Sequence, residues 1–172
     1  MAQVINASYS VRRKKAIAGQ IADTSLYNID GACAAAGNVP VGRFVALNAD
    51  AAVQDPEGKY KPVSAATPAG STVVGVAIVS AAQAPEGVYE DGYAVNVMTH
   101  GRVFVEVPAT ATLANVALGN KVGIDATGKV VLTGAVVTTN HTFTGELVES
   151  QDDAIKLAKI QLVQNAGVVA SA

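Results

Sequence analysis

The sequence predicts an all-β protein, folded as an antiparallel β-barrel or β-sandwich, and three observations support this fold class. From residue 41 onward, short valine-rich segments alternate with clusters of Gly, Pro, Asn and Asp, which is typical of strands separated by turns. β-Branched residues and glycines recur too often to leave long stretches of helical spacing. Tryptophan is absent and aromatic residues make up only 5% of the chain. We therefore expect a core built from small and β-branched side chains.

The predicted strands share this composition and are bounded by turn residues; they cover residues 41–47, 59–63, 72–79, 93–98, 102–107, 121–125, 129–132, 142–148 and 155–163. Thr99-His100-Gly101 and Ala126-Thr127-Gly128 each predict an antiparallel hairpin, because glycine adopts positive φ at low cost. Residues 151–159 could begin as a helix, but their alternation favours a strand. A loop at 133–139 could divide the chain into two small β units.

The segment from 102 to 107 places three valines on one face of its strand, and that face is predicted to point into the core. Phe104 lies on the opposite face, between the charged residues Arg102 and Glu106. An aromatic ring exposed to water among charges is unfavourable. Two readings remain open for Phe104: contact with another subunit, or membership of a second core face.

The charge distribution predicts an N-terminal arm, residues 1–30, followed by a β-barrel or sandwich body, residues 31–172. The arm holds four basic and two acidic residues, and the body holds eight basic and twelve acidic residues. The basic residues of the arm form one run, which apolar residues flank. We predict that this arm docks on a partner, and a solvated tail is the alternative; the predicted docking residues are Arg12, Arg13, Lys14, Lys15, Ile17 and Ile21.

Composition excludes several classes of function. A net charge of −2 argues against general nucleic-acid binding, which needs a basic excess or a continuous basic face. The apolar runs are far shorter than the roughly 20 residues of a membrane span, and residues 16–22 are too short and polar for a secretory signal. Charged residues make up 15% of the chain, against about 25% in average globular proteins. We therefore expect extensive surface contact with partners.

The residues that could carry catalysis form no recognisable site. The only histidines, His100 and His141, lie outside nucleophile–base motifs and are predicted to be exposed in turns. The adjacent carboxylates at 90–91 and 152–153 fit polar turns, and no phosphate-binding glycine motif occurs. Cys33 is alone in the sequence and is predicted to be a small buried thiol. The sequence thus predicts a protein that is not an enzyme, with no catalytic residues, no metal and no cofactor.

An ordered series of short phrases resembles the structural cement, or head decoration, proteins of tailed phages. These phrases span about residues 16–163; they are AIAGQIADT at 16–24, VPVGRFV at 39–45, VGVAI at 74–78, the segment 93–107, GNKVG at 119–123 and ATGK at 126–129. Their order and spacing carry the resemblance.

The resemblance implies a mostly-β protein that binds the outside of an icosahedral shell made by an HK97-fold major capsid protein. It implies a small symmetric oligomer, for which we favour a homotrimer over a dimer. The expected function is non-enzymatic cement that bridges neighbouring capsid subunits on the virion surface, after synthesis in the bacterial cytoplasm. A receptor- or carbohydrate-binding β-module on the virion is the alternative, although few aromatic rings are available to stack on sugars.

Overall fold

The computed structural model describes residues 16–48, 60–83, 85–149 and 155–164, together with the backbone of residues 169–170. All regular secondary structure in these ranges is strand, which confirms the all-β prediction. The strands are β1 (Asn28–Ala35), β2 (Val39–Pro40), β3 (Phe44–Leu47), β4 (Lys61–Ser64), β5 (Val73–Ala77), β6 (Val88–Tyr89), β7 (Ala94–Val107), β8 (Lys121–Ile124), β9 (Val130–Val131), β10 (Val137–Glu149), β11 (Lys156–Leu162) and β12 (Val169–Ala170).

Five strands close into a barrel in the order β1-β4-β3-β5-β7, because β7 also pairs with β1. Only the β1–β4 pair among these is parallel. The barrel interior is filled by small side chains, as the composition predicts. Its buried residues, together with two from the β2–β6 pair, are Cys33, Ala35, Val39, Val45, Val63, Ala77, Tyr89, Val95 and Val97.

The strands β8 to β11 form an open sheet on the second half of β7, in the order β7-β11-β10-β8-β9, and β12 adds to β10. One face of this sheet packs against the barrel. Phe44, Val76 and Met98 from barrel strands share a single buried cluster with Ile124 and Ile160 from the sheet. The predicted core face of residues 102–107 is confirmed, since its three valines are at most 3% exposed.

The strand β7 runs unbroken through both parts, so the hairpin predicted at Thr99-His100-Gly101 is wrong. Up to His100, β7 pairs with β1 and β5, and from Gly101 it pairs with β11. Gly101 does have a positive φ of 108°, but it lies where the strand leaves one set of partners for another. A β-carbon at this position would lie 2.6 Å from the Tyr27 β-carbon. Glycine is required here by close packing and not by a chain reversal.

The hairpin predicted at Ala126-Thr127-Gly128 is confirmed, because β8 and β9 pair as antiparallel neighbours across it. The Asp125 carboxylate organises the turn by accepting hydrogen bonds from the backbone N–H groups of Thr127, at 2.7 Å, and Lys129, at 3.1 Å. Gly128 has the expected positive φ, 73°. The strand predicted within residues 151–159 is also confirmed from Lys156 onward as β11.

The strand β1 was not predicted and lies across the predicted boundary between arm and body at residue 30. It is rich in alanine and glycine, which are poor strand formers in isolation. Cys33 and Ala35 point into the barrel and are 2% and 4% exposed, where larger side chains would compete for a narrow interior. The division into arm and body stays a prediction, although residues 19–22 and 28–30 both bond to β7.

Candidate docking surface and the anchored N-terminal segment

The N-terminal segment, residues 16–22, lies along the edge of β7 that faces away from β11. The Gly19 N–H donates to the Phe104 carbonyl at 2.8 Å, and the Phe104 N–H donates back to the Gln20 carbonyl at 3.0 Å. The Ala22 N–H donates to the Arg102 carbonyl at 2.9 Å. These bonds follow an antiparallel ladder centred on Ile21 and Val103. The segment is therefore part of the folded body.

The predicted docking residues fall in different environments. Arg12, Arg13, Lys14 and Lys15 lie outside the described residues. Ile21 is half-buried against the main core, whereas Ile17 is 43% exposed. Of the two isoleucines, Ile17 thus offers the larger surface to a partner. The assignment of these six residues to docking stays a prediction.

Two glycines fasten the N-terminal segment to the barrel. Gly19 and Gly42 both have positive φ, 76° and 79°. The Val79 N–H donates to the Gly19 carbonyl at 3.0 Å, and the Gly42 N–H donates to the Ala77 carbonyl at 2.7 Å. The bond from Val79 therefore holds the segment, and Gly42 lets the segment approach closely, because a β-carbon on Gly42 would lie 2.6 Å from the Ala18 β-carbon. The position of Ala16, which directly follows the basic run, is fixed relative to both the barrel and the open sheet.

Phe104 is 7% exposed and lies in a small buried cluster on the outer face of the open sheet. Ala16 from the N-terminal segment and Leu157 from β11 complete this cluster, and Val148 packs against it. The chain by itself buries the ring, which matches the second-core-face reading. Contact of Phe104 with another subunit stays a prediction.

The charged groups on this outer face pair with one another. Asp23 accepts a hydrogen bond from the Arg102 guanidinium at 3.1 Å, and the Lys159 ammonium lies 2.6 Å from Glu146 and 3.9 Å from Asp23. Hydrogen bonds from Ser25 are the main cause that lowers the pKa of Asp23 to about 2, and Arg102 adds to the effect. The carboxylate is charged near neutral pH, and the network holds the residues after the N-terminal segment against β7 and β11.

The environment of His141 contradicts the prediction that this side chain is exposed in a turn. It is 2% exposed, its ring stacks on Phe44 with centroids 5.5 Å apart, and its Nδ1 accepts a hydrogen bond from the Val163 N–H at 3.1 Å. Burial lowers its pKa to about 4. Because β10 begins at Val137, earlier than predicted, alternation turns His141 inward. His100 lies half-buried within β7, not in a turn.

The remaining candidates for chemistry are separated or inert. Cys33 is buried, as predicted, and burial raises the pKa of its thiol to about 11, so the thiolate nucleophile is disfavoured. Within the described ranges, no group of three or more His, Cys, Asp and Glu side chains could hold a metal ion. No helix in this part of the chain is long and apolar enough to cross a membrane.

A surface that the sequence analysis missed is the tip loop, residues 108–120, which joins β7 to β8. Leu113 and Leu118 are 62% and 80% exposed on it. A groove of about 470 Å³ opens beside the loop, with Asn115, Lys121 and Thr138 in its lining. No charged residue or histidine occurs from 107 to 120, but residues 62–85 share this absence, so the sequence carries no specific signal for the loop.

The fold is an all-β body that carries exposed apolar side chains, Leu113 and Leu118 among them, on its surface. The chain matches the family of phage structural cement proteins (E217 gp24/Pam3 gp6) over residues 5–163, and it belongs to that family. The resemblance seen in the sequence is thereby confirmed. Among curated proteins, none matches the chain.

A similar fold occurs in a chain of a solved structure described as "The capsid of Myoviridae Phage XM1". The two chains are 17% identical with a TM-score of 0.57, and the likeness covers 93% of this chain and 98% of the other. At this level of identity the likeness concerns the fold. Together with the family, it supports a capsid-associated structural role for this protein, as part of the virion. The family is one of structural phage proteins.

Proposed function

We propose that this protein binds the outer surface of an icosahedral phage capsid and stabilises the shell by bridging neighbouring subunits of an HK97-fold major capsid protein. It acts as a homotrimer and catalyses no reaction. Membership of the cement family supports this proposal. The observation that carries it is the continuity of β7, which makes the barrel and the open sheet one body.

The length of β7 suits a bridging role. Its 14 residues extend over about 45 Å at roughly 3.3 Å per residue. A module that holds two subunits together resists their separation only if its own parts do not hinge. The shared buried cluster, with Phe44 and Met98 from the barrel and Ile160 from the sheet, opposes such hinging. Pulling the subunits apart must then break the contacts of the module as well.

The N-terminal arm supplies a second attachment in this proposal. The run from Arg12 to Lys15 directly precedes Ala16, which is fixed against Phe104. Four cations can pair with carboxylates on the capsid, each exposed pair contributing about 0–1 kcal/mol. Ile17 adds exposed apolar surface beside them. Linking such weak contacts to a rigid body raises avidity by about 10²–10⁴ when the geometry allows both.

The decisive test of arm docking removes residues 1–15 and leaves residues 16–22 in place. Deleting residues 1–22 instead would also remove the ladder on β7 and the cover over Phe104, so effects on folding and on docking could not be separated. We expect the short deletion to keep the free energy of unfolding but to weaken binding to expanded shells at least tenfold, measured by co-sedimentation. A variant with glutamine at positions 12 to 15 controls for chain length. Unchanged affinity and saturation would show that the arm does not dock.

Bridging has its own test, an electron-microscopy map of shells decorated with the purified protein. Each copy is expected on the outside, with density contacting two major capsid subunits, and three copies are expected around each threefold or quasi-threefold axis. Decorated shells should also release their contents at a higher temperature than bare shells. Density against a single subunit, or on the inner surface, would overturn the bridging proposal.

A further inference from the structure

We propose that residues 5–11, which precede the basic run, add as a β-strand to the free side of β10 in the same molecule. The free side is the edge of residues 145–149 that faces away from β11. This pairing forms before the protein meets a shell, so it lies beyond the proposed function and concerns how the arm is held. It is supported by an unpaired strand edge, a strand pattern in the arm, a short path between them and complementary charge.

The free side of β10 begins after Phe143, the last described residue of β10 that bonds to the chain leading into β8. Backbone groups alternate between the two sides of a strand. Because the Phe104 backbone bonds to the N-terminal segment, alternation makes Leu157 and Val148 a hydrogen-bonded pair between β11 and β10. The N–H and carbonyl groups of the residues on either side of Val148 therefore point to the free side. No strand in the described part of the chain pairs with them there.

The sequence of the arm predicts a strand that fits this edge. Residues 5–12 alternate strictly, with the apolar residues Ile5, Ala7, Tyr9 and Val11 separated by the polar residues Asn6, Ser8, Ser10 and Arg12. Strict alternation over about four to eight residues predicts a half-buried strand. The other long stretch outside the described ranges, residues 49–59, contains a proline and four charged residues and has no such pattern. The match to the cement family also begins at residue 5, where the alternation begins.

The described chain directs the arm towards β10. The Gln20 N–H donates to the Ile17 carbonyl at 3.2 Å, and beyond this turn Ala16 lies in a buried cluster with Leu157 of β11. In the sheet, β10 is the next strand after β11. Strands lie about 4.8 Å apart, so a strand added to β10 lies roughly 10 Å from β11. Residues 12–15 span roughly 13 Å when extended, which is enough to cross β10.

Charge favours the same path. Glu146 and Glu149 are the exposed residues of this edge, and the basic run lies between residue 11 and Ala16. Glu146 already binds Lys159 at 2.6 Å, but its side chain is 54% exposed and has room for a second cation. Charged side chains on a strand edge hinder pairing with other strands, whereas a strand joined to four cations is attracted to two carboxylates.

Strand addition orders the docking residues of the arm before they meet a shell. In an extended segment, alternate side chains face opposite ways, so two of the four cations face β10 and two face outward. The outward pair is available to carboxylates of the capsid. A segment that is already ordered loses less conformational entropy on binding.

The first test uses the free protein at low concentration with a benzophenone amino acid in place of Tyr9. Equal amounts of unlabelled and isotope-labelled protein are mixed and irradiated, and cross-linked peptides are identified by mass. We expect cross-links from position 9 to residues 144–149 with both peptides of one isotope, which marks a single molecule. The matched control carries the group in place of Tyr93, an exposed tyrosine beside the barrel, and should give no cross-link to those residues. Mixed isotopes, cross-links to other residues only, or no cross-link would overturn the inference.

The second test compares amide hydrogen exchange in the free protein with that in a variant that lacks residues 1–11 but keeps the basic run. We expect the Leu147 N–H to exchange about three- to fivefold faster in the variant. The Val148 N–H, which faces β11, is the internal control and should not change. An unchanged exchange rate at Leu147 would also overturn the inference.

The expected change in exchange rate is small in free energy. A three- to fivefold factor corresponds to about 0.7–1 kcal/mol, within the roughly 10–15% uncertainty of an unfolding free energy extrapolated from denaturant. Removing the arm therefore leaves the measured stability of the body unchanged. Neither test involves a shell, so a failure of shell binding would contradict the proposed function alone.

Discussion

Gly19 and Gly42 lie back to back where the N-terminal segment crosses the barrel, and neither position has room for a β-carbon. A β-carbon on Gly42 would lie 2.6 Å from the β-carbon of Ala18 and 3.0 Å from the Gly19 nitrogen. Atoms this close must move apart, and on both sides the obstacle includes backbone. The contact thus sets the path of the chain that follows the basic run.

Replacing Gly42 by alanine should cost more stability than replacing Gly37, although the two residues share a φ of 79°. The left-handed backbone costs about 1 kcal/mol for alanine at either site. Nothing lies within 4 Å of a β-carbon at Gly37, whereas at Gly42 overpacking adds about 2 kcal/mol. Urea unfolding of both variants measures the difference. Equal losses in the free energy of unfolding would show that the N-terminal segment moves away from the new β-carbon without a loss of stability.

Thr67 ties the barrel to the β8–β9 hairpin and is expected to be sensitive to loss of its hydroxyl. The side chain is 0% exposed; its Oγ1 donates to the Asp125 carbonyl at 2.6 Å and accepts from the Gly128 N–H at 3.0 Å. Thr67→Val removes these two hydrogen bonds and should cost about 2 kcal/mol, at about 1 kcal/mol for each bond, although the Gly128 N–H still donates to the Asp125 carbonyl at 3.2 Å. Thr67→Ser keeps the hydroxyl and should cost about 1 kcal/mol for the lost methyl group. Chemical denaturation distinguishes the two, and a smaller loss for valine would contradict this assignment.

The buried His141 makes stability depend on pH. Its pKa in the folded protein is about 4, below the ordinary 6.5, so the unfolded chain takes up a proton first as the pH falls. The folded state therefore loses stability between pH 6.5 and pH 4, by up to about 3 kcal/mol. His141→Asn keeps an acceptor for the Val163 N–H but does not titrate. As the pH falls from 7.5 to 4, the free energy of unfolding of the unaltered protein should approach that of His141→Asn. Parallel curves for the two proteins would contradict the prediction.

Phe104 should stabilise the isolated chain, because Ala16 and Leu157 cover its ring. Phe104→Ala is expected to lower the free energy of unfolding by about 3–4 kcal/mol, and Phe104→Leu by about 1 kcal/mol. Thermal and urea unfolding give these values. Shell binding by the leucine variant, measured where it is fully folded, then tests the subunit-contact reading. A loss below 1 kcal/mol for alanine would mean that the N-terminal segment does not cover the ring.

Local signals explain which parts of the fold could be predicted. The hairpin at Gly128 follows from residues within the turn itself, since Asp125 caps it and glycine supplies the positive φ. A similar pattern at Gly101 misled the prediction. Whether a glycine there reverses the strand depends on β1, β5 and β11, which come from distant parts of the chain. No residue near Gly101 in the sequence indicates which of these strands pair with β7.

The N-terminal segment and β1 depend on similarly distant information. Residues 19–22 bind β7 through backbone N–H and carbonyl groups. Because every sequence has these groups, no side-chain pattern predicts this pairing. Of the alanines of β1, Ala35 is buried in the barrel core and Ala32 is exposed, and this difference depends on strands from distant parts of the chain. Predicting the burial of His141 would have required knowing that β10 begins at Val137.

Closure of the barrel also bears on behaviour under crowding. Exposed strand edges template the addition of further strands and can seed fibres, a hazard that grows where identical molecules are concentrated. Each of the five barrel strands has a neighbour on both sides, and the open sheet ends in β9, which is only two residues long. Within the described residues, closure therefore leaves the barrel itself no strand edge through which densely packed molecules could polymerise.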